Sequence, residues 1–498
     1  MLNELKNEAN RTFTENGAIT NESTFSDCLD LFATIGALRK QNEDEIIFRF
    51  VRAFSENRDI AMKTLFYARD VRGGLGERRV FRTILGWLSK NEPEILKKNI
   101  PYIAEFGRFD DLLCLLHTSC EDEAIRIIRE QLGADMAALG TSGEVSLLGK
   151  WLPSENASAK ATRNEARYLM KKLGYTERQY RKMTVALRKQ IRIIENNLRE
   201  RDYTFDYSKQ PSKAMKKYHD AFFRNDRERY TAFLEKVQKG EVMLHTDTLY
   251  PYELVLPYIH DRNFFAGSQK GFMRDITEDE KAYLNTTWQS LPHFGGDENA
   301  LAVVDTSGSM YYSDPPLPAA VALSLGLYFA EHNKGAFANH FIEFSHTPRL
   351  IEIKGETFAD RLRYVCSFNE IADTNLEAVF DLILSAAVRN QVSQEELPKK
   401  LVIISDMEFN RCVRNADVTN FENAKAKYAA HGYNLPEVVF WNVESRNRNL
   451  PVTKNEAGVA LVSGCTPRLF EMVEGDLKNP YELMLEILSA ERYEKISA

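Results

Sequence analysis

In the run LAVVDTSGSM, an aspartate and two serines stand at alternate positions, Asp305, Ser307 and Ser309, directly after an apolar stretch. A carboxylate and two hydroxyls leaving one strand tip are all oxygen donors, the type that hard divalent cations such as magnesium prefer. They supply only half of an octahedron. Two further oxygen donors occur at comparable places later in the chain. Thr374 opens the helically spaced stretch TNLEAVFDLIL, and Asp406 follows the apolar run LVIIS. Five oxygen-bearing side chains delivered to the same edge of one sheet would surround one cation. Asp and Ser also favour turns and helix caps, so capping is the plainer role for Asp305 and Thr374.

Order and spacing together resemble the metal-ion-dependent adhesion site of von Willebrand factor A domains. That resemblance implies direct or water-bridged contact of Ser307, Ser309 and Thr374 with a divalent cation, magnesium being the expected ion. It implies that Asp305 and Asp406 act mostly through bound waters, and that one coordination position stays open for a partner's carboxylate. The family often has glycine before the threonine, where this chain has Asp373. The run VVDTSGS is also similar to the Asp-Thr-Gly of aspartic proteases. Ser307 replaces the required glycine, however, and no second copy supplies the carboxylate that must share a proton. No G-x-S-x-G elbow is present. The nine histidines, His340 and His346 among them, lack metal-ligand spacing. A binding protein rather than an enzyme is expected.

Such a site needs a sheet to carry it. Short apolar runs at Leu301–Val304, Ala338–Phe344, Leu401–Ile404, Val438–Trp441 and Val459–Val462 read as buried strands. Leu350–Ile353 reads as a hairpin partner at the sheet edge. Helical spacing fills 317–333, 374–390, 421–431 and 480–493. Apolar strands alternating with helices predict a mostly parallel, doubly wound α/β sheet covered on both faces. Ligands bind such sheets at the carboxyl ends of the strands. The Pro-, Gly- and Asp-containing tract from Leu291 to Asp297 marks a boundary, giving a helical domain over 1–290 and an α/β domain over 297–498.

Before that boundary the chain reads as helix after helix: 24–38, 43–56, 58–68, 77–90, 92–105 and onward to about 238. Tyr180, Met183, Leu187, Ile191, Ile194 and Leu198 form one apolar stripe. Between Lys150 and Lys239 there are 23 Lys and Arg against 11 Asp and Glu, although the whole chain carries −7. A basic tract of this kind can hold phosphates within an acidic protein. Its cations include Lys160, Arg163, Arg167, Lys171, Lys172, Arg181 and Arg188, with Trp151, Tyr168, Tyr175 and Tyr180 interleaved as candidates for stacking on bases. A solvated helix face over core aromatics is the plainer reading. The glycine-rich turn within ARDVRGGLGERR lacks the Lys-Ser/Thr ending of a phosphate loop and reads first as an inter-helix turn. Arg69, Arg72, Arg78 and Arg79 around it are further candidates for phosphate contact.

The runs ARDVRGGLGERR, EFGRFDDLL, GKWLPSENASAKATR and KQPSKAMKKYHDAF resemble the TROVE helical module. That module is a HEAT-like α-helical repeat, ring-shaped in the family of the Ro ribonucleoprotein autoantigen, where a von Willebrand factor A domain follows it. The resemblance implies an RNA-binding scaffold that takes RNA with a single-stranded end. The alternative is a protein-interaction adaptor that grips a partner carboxylate through the metal site.

Bulk properties bound these readings. Hydrophobic content is 44% and charged content 28%, and no stretch approaches eighteen apolar residues, so neither a membrane span nor a membrane partner is expected. Six cysteines without a CxxC pair fit reduced thiols and a cytoplasmic location.

Overall fold

Strands with apolar side chains on both sides must be covered on both faces. In the computed structural model the C-terminal strands meet that requirement with two helices on one side and, on the other, a third helix continuous with the core of the N-terminal half. The structure describes residues 1–141, 143–259, 274–295, 299–311, 316–344, 347–368, 374–411 and 418–498. Near the N terminus, β1 (Arg11–Phe13) and β2 (Ile19–Asn21) form a short antiparallel hairpin. The remaining strands are β3 (Ala300–Asp305), β4 (His340–Phe344), β5 (Arg349–Glu352), β6 (Lys400–Ser405), β7 (Glu437–Asn442) and β8 (Val459–Ser463). They form one sheet in the order β5-β4-β3-β6-β7-β8. All pairings are parallel except the β4–β5 hairpin at the edge.

Alternation along the strands sorts the two faces. Leu301, Val303, Leu401, Ile403, Val438 and Phe440 point to one side, against the helices Leu376–Asn390 and Asn420–Ala430. Ala302, Val304, Val402, Ile404, Val439 and Trp441 point to the other, where the helix Pro318–His332 lies. Gly326 lets that helix approach closely, because a Cβ there would run into Val304.

The N-terminal half is helical. Its main helices include Asp27–Thr34, Glu43–Glu56, Arg58–Arg69, Arg79–Asn91, Glu121–Ala138, Lys160–Leu173, Glu177–Gln190, Ser212–Asn225 and Arg227–Gln238. Starts follow side-chain caps: Ser26, Asn42, Asn57 and Thr176 each accept a backbone N–H of the first turn. The Tyr180-to-Leu198 stripe is not one helix. The first helix stops at Gln190, Arg192 adopts a φ of 53°, and a second helix starts at Ile194. Ile191, Ile193 and Ile194 crowd β-branched side chains into the break, which disfavours helix there.

Helical and α/β parts share one continuous core, holding Leu29, Phe66 and Leu85 from one and Val304, Ile404 and Trp441 from the other. The helix Asp27–Thr34 packs on β8. Just beyond it, Gly36 lies so close to Ser463 and Gly464 that no side chain would fit. Of the boundary tract, Gly296 and Asp297 lie outside the described residues.

Candidate metal centre

Register brings the two distant aspartates together. β3 and β6 pair in parallel with Val304 opposite Ile404, so Asp305 ends beside Ser405 and Asp406 lies one residue further on. The next segment after β3 runs to β4 on one side, whereas β6 lies on the other. This is the point where strand order reverses and where open α/β sheets hold ligands.

Asp305 is fully buried, and Asp406 and Ser307 nearly so, while Ser309 is half-buried. The Ser405 hydroxyl donates to Asp305 Oδ2 at 2.5 Å, and the Ser307 N–H donates to Asp305 Oδ1 at 2.9 Å. The Ser307 and Ser309 hydroxyls are 3.1 Å apart. Ser309 also hydrogen-bonds Asp406, whose Oδ1 accepts the Glu408 N–H at 3.2 Å. Thr374 is buried and precedes the helix Leu376–Asn390. Asn375, not Thr374, caps that helix by accepting the Ala378 N–H at 3.0 Å. The Thr374 N–H donates to Asn410 Oδ1 at 3.2 Å, and its carbonyl accepts the Asn410 N–H at 2.8 Å. Asp305, Ser307, Ser309 and Asp406 thus form one hydrogen-bonded cluster, and Thr374 is fastened to the loop that leaves Asp406. Asp373 and His346 lie outside the described residues.

Two buried carboxylates at adjacent strand ends repel each other. Burial first, and then the Asp406 charge, push Asp305 well above the usual carboxylate range. Asp406 is raised by burial and held back by Arg446 and Ser309. This excess of buried negative charge, lined with hydroxyls, suits a hard divalent cation. Among the described residues no three His, Cys, Asp or Glu side chains gather as a metal cage, so a cation here would depend on the hydroxyls. A cation bound here would replace the proton that the buried pair otherwise retains, so its affinity should weaken as pH falls through the raised Asp305 pKa and level off above it. For the cation-free protein the sign reverses. A carboxyl with a raised pKa costs stability as pH rises through the same window, and saturating magnesium should cancel that loss. Titration calorimetry in two buffers of different protonation enthalpy measures the proton released. No release between pH 6 and 8 would refute this coupling.

Sequence reasoning missed Ser405, Glu408, Asn410 and Arg446. Ser405 was visible as the last polar residue of LVIIS. Arg446 lies just beyond β7, and only the strand order puts that loop next to the one carrying Asp406.

Residues 14–131 and 125–293 match the family model described as Domain of unknown function (DUF2828), together more than half of the chain. The chain belongs to the DUF2828 family. Residues 299–487 of this DUF2828 protein match a second model, Domain of unknown function (DUF7788). An uncharacterized protein of Acanthamoeba polyphaga mimivirus is 28% identical over 520 aligned positions, which cover 96% of this chain and 87% of the viral one.

The basic residues of the DUF2828 region divide into two groups. Arg69 is buried, with its Nε and Nη2 both 2.8 Å from Asp111 Oδ2, and it does not reach the surface. Arg188 donates to the carbonyls of Gly149 and Leu152, and Arg163 to those of Ala157 and Ser158. Lys172 pairs with Glu121. Arg78 approaches Asp110 at 3.5 Å, Arg79 donates to the carbonyls of Arg39 and Gln41, and Arg72 donates to that of Glu105 at 3.4 Å. Lys160, Arg167, Lys171 and Arg181 are exposed and make no ion pair among the described residues. Arg178, Lys182 and Lys189, which sequence reasoning did not single out, stand exposed beside them. Trp151 carries the Arg108 guanidinium on its face at 3.9 Å, and the buried Tyr180 hydroxyl donates to the Pro153 carbonyl at 2.8 Å. Neither ring lies bare for a base. No helix among the described residues is long and apolar enough to cross a membrane.

Proposed function

We propose that this DUF2828 protein is an RNA-binding scaffold of TROVE type whose α/β half is a von Willebrand factor A-type module with a divalent-cation adhesion site. The observation that carries the RNA reading is the set of seven exposed cations on two consecutive helices, Lys160–Leu173 and Glu177–Gln190, with no carboxylate partner among the described residues. Lys160, Arg167 and Lys171 recur at helical spacing along one face. Unneutralised cations in an acidic chain repel one another and gain most from a polyanion. The metal reading rests on the buried Asp305–Asp406 pair at the strand-order reversal.

The double charge reversal Lys171→Glu, Arg181→Glu should lower RNA affinity by roughly tenfold or more at moderate salt and flatten the dependence of log affinity on log salt by about two phosphate contacts. Filter binding with an RNA hairpin bearing a single-stranded end measures both. Equal affinity and slope for variant and parent would refute the assignment. Absorbance of the purified protein before and after nuclease treatment gives a first indication, since co-purifying RNA disappears on digestion.

A protein-adaptor reading is favoured by one observation. Ser309 is half-buried while the aspartates behind it are closed off, so the cluster meets solvent on its hydroxyl side. A partner carboxylate completing a cation's shell there would be released by chelation, and RNA bound by the helices would not.

A further inference from the structure

Among the described residues, the cation that pairs with Asp406 is Arg446. Its Nη2 lies 2.9 Å from Asp406 Oδ2, and its Nη1 lies 3.1 Å from Glu15 Oε2 in the turn between β1 and β2. Its Nε is buried, with no acceptor among the described residues. A strong Arg–carboxylate pair uses two parallel N–H donors. Here the guanidinium is divided between two carboxylates, single-handed on each, and that is an arrangement a doubly charged ion can break. Glu408 and Glu444 add negative charge around Asp406, and Glu444 is 3.0 Å from Lys40.

The same hairpin is seated on the loop that leaves the site. The Glu15 N–H donates to Glu408 Oε2 at 2.6 Å, Asn16 donates to the Glu408 carbonyl at 2.5 Å, and the Thr14 hydroxyl donates to the Phe409 carbonyl at 2.6 Å. Gly17 bridges to Asn410, the residue that holds Thr374. Asn447, next to Arg446, donates to both Glu15 and Glu408. The hairpin therefore touches the loop that leaves Asp406 directly, and the segment carrying Thr374 only through Asn410.

We propose that Arg446 is the resident counter-cation of Asp406, and that a divalent ion entering the site displaces it onto Glu15, so that cation binding and seating of the N-terminal hairpin reinforce each other. This rests on the divalent-cation reading of the site. Without the ion, Asp406 is partly neutralised from within the chain, which limits the cost of its burial. With the ion, the guanidinium leaves a like-charged neighbour and completes its pair with Glu15. By linkage, whatever strengthens the Glu15 seat strengthens ion binding, and the reverse.

Two substitutions in the full chain should move magnesium affinity in opposite directions. Arg446→Gln removes the competitor and should tighten magnesium by several-fold. Glu15→Gln removes the seat that receives the displaced guanidinium and should weaken magnesium by several-fold; its side chain is half-exposed, so the variant keeps its fold. Titration calorimetry with magnesium alone measures both, and hydrogen exchange of residues 13–18 gives a second readout. Added magnesium should raise protection of those amides in the parent and leave it unchanged in Arg446→Gln. If the parent binds magnesium but both substitutions weaken it, or neither moves it, Arg446 is only a structural pair and the exchange is overturned. Magnesium binding to Arg446→Gln but not to the parent is the strong form of the same exchange. If no form of the protein takes magnesium or manganese, the cation reading itself falls and the exchange with it.

Discussion

Asp305→Asn should lower magnesium affinity by roughly 100-fold, equivalent to about 2.7 kcal/mol of binding energy, while leaving the cation-free protein as stable as the parent or more so. The two halves of this expectation have one cause. Asp305 is fully buried and faces Asp406 across adjacent strand ends, and both carboxylates are raised by burial. Asparagine keeps the shape, its oxygen accepts the Ser307 N–H and its NH2 donates to the Ser405 hydroxyl, which rotates to accept, while the charge that burial penalises is removed. A merely structural Asp305 predicts the reverse pattern, since loss of a charged acceptor for two donors would lower stability and magnesium would be irrelevant to it. Titration calorimetry and thermal unfolding with and without magnesium separate the two cases. Unchanged magnesium affinity in Asp305→Asn would remove Asp305 from the site, whatever happened to stability.

The sheet was legible because its strands are apolar on both sides. Each apolar run overlaps a strand of the structure, with boundaries differing by up to two residues, and Leu350–Ile353 corresponds to the antiparallel edge strand β5. The adjacency of Asp305 and Asp406 was expected from oxygen donors placed after separate strands, and the parallel pairing of β3 with β6 supplies it. Arg446 and the hairpin were not readable in that way. Strands of three residues, Arg11–Phe13 and Ile19–Asn21, carry no period, and their seat on residues 408–410 depends on contacts nearly 400 positions away in the chain. The helix Phe358–Val365 was likewise not anticipated, being only two turns long. Arginines misled in a specific way. Arg69 and Arg188 look like surface cations by type, but Asp111 holds the first in the interior and the carbonyls of Gly149 and Leu152 engage the second, which is half-buried. For the same reason the runs ARDVRGGLGERR and EFGRFDDLL, separate in sequence, are parts of one internal network.

That network is where a single substitution should damage folding most. Asp111 is fully buried. Its Oδ2 accepts Arg69 Nε and Nη2 at 2.8 Å and the Arg108 N–H at 3.0 Å, and its Oδ1 accepts Arg82 Nε at 2.7 Å. Gly107 makes room for it, because a Cβ there would strike both Asp111 and Arg69. Asp111→Ala should therefore cost about 3–5 kcal/mol, the usual penalty for leaving a buried charge without its partner. That is a large share of the roughly 5–15 kcal/mol that holds a domain folded. Arg82→Ala should cost much less, since its guanidinium is partly exposed and solvent can replace part of what it loses. Replacing the pair together, Arg69→Met with Asp111→Leu, should recover much of the loss, because two apolar side chains leave no charge stranded in the core. Urea unfolding followed by the fluorescence of the native tryptophans gives the three midpoints. If Asp111→Ala shifts the midpoint no more than Arg82→Ala does, the carboxylate is not the centre of the network. If the double substitution is as unstable as Asp111→Ala, the loss comes from packing or from the Arg82 and Arg108 donors left without Asp111, rather than from the stranded guanidinium of Arg69.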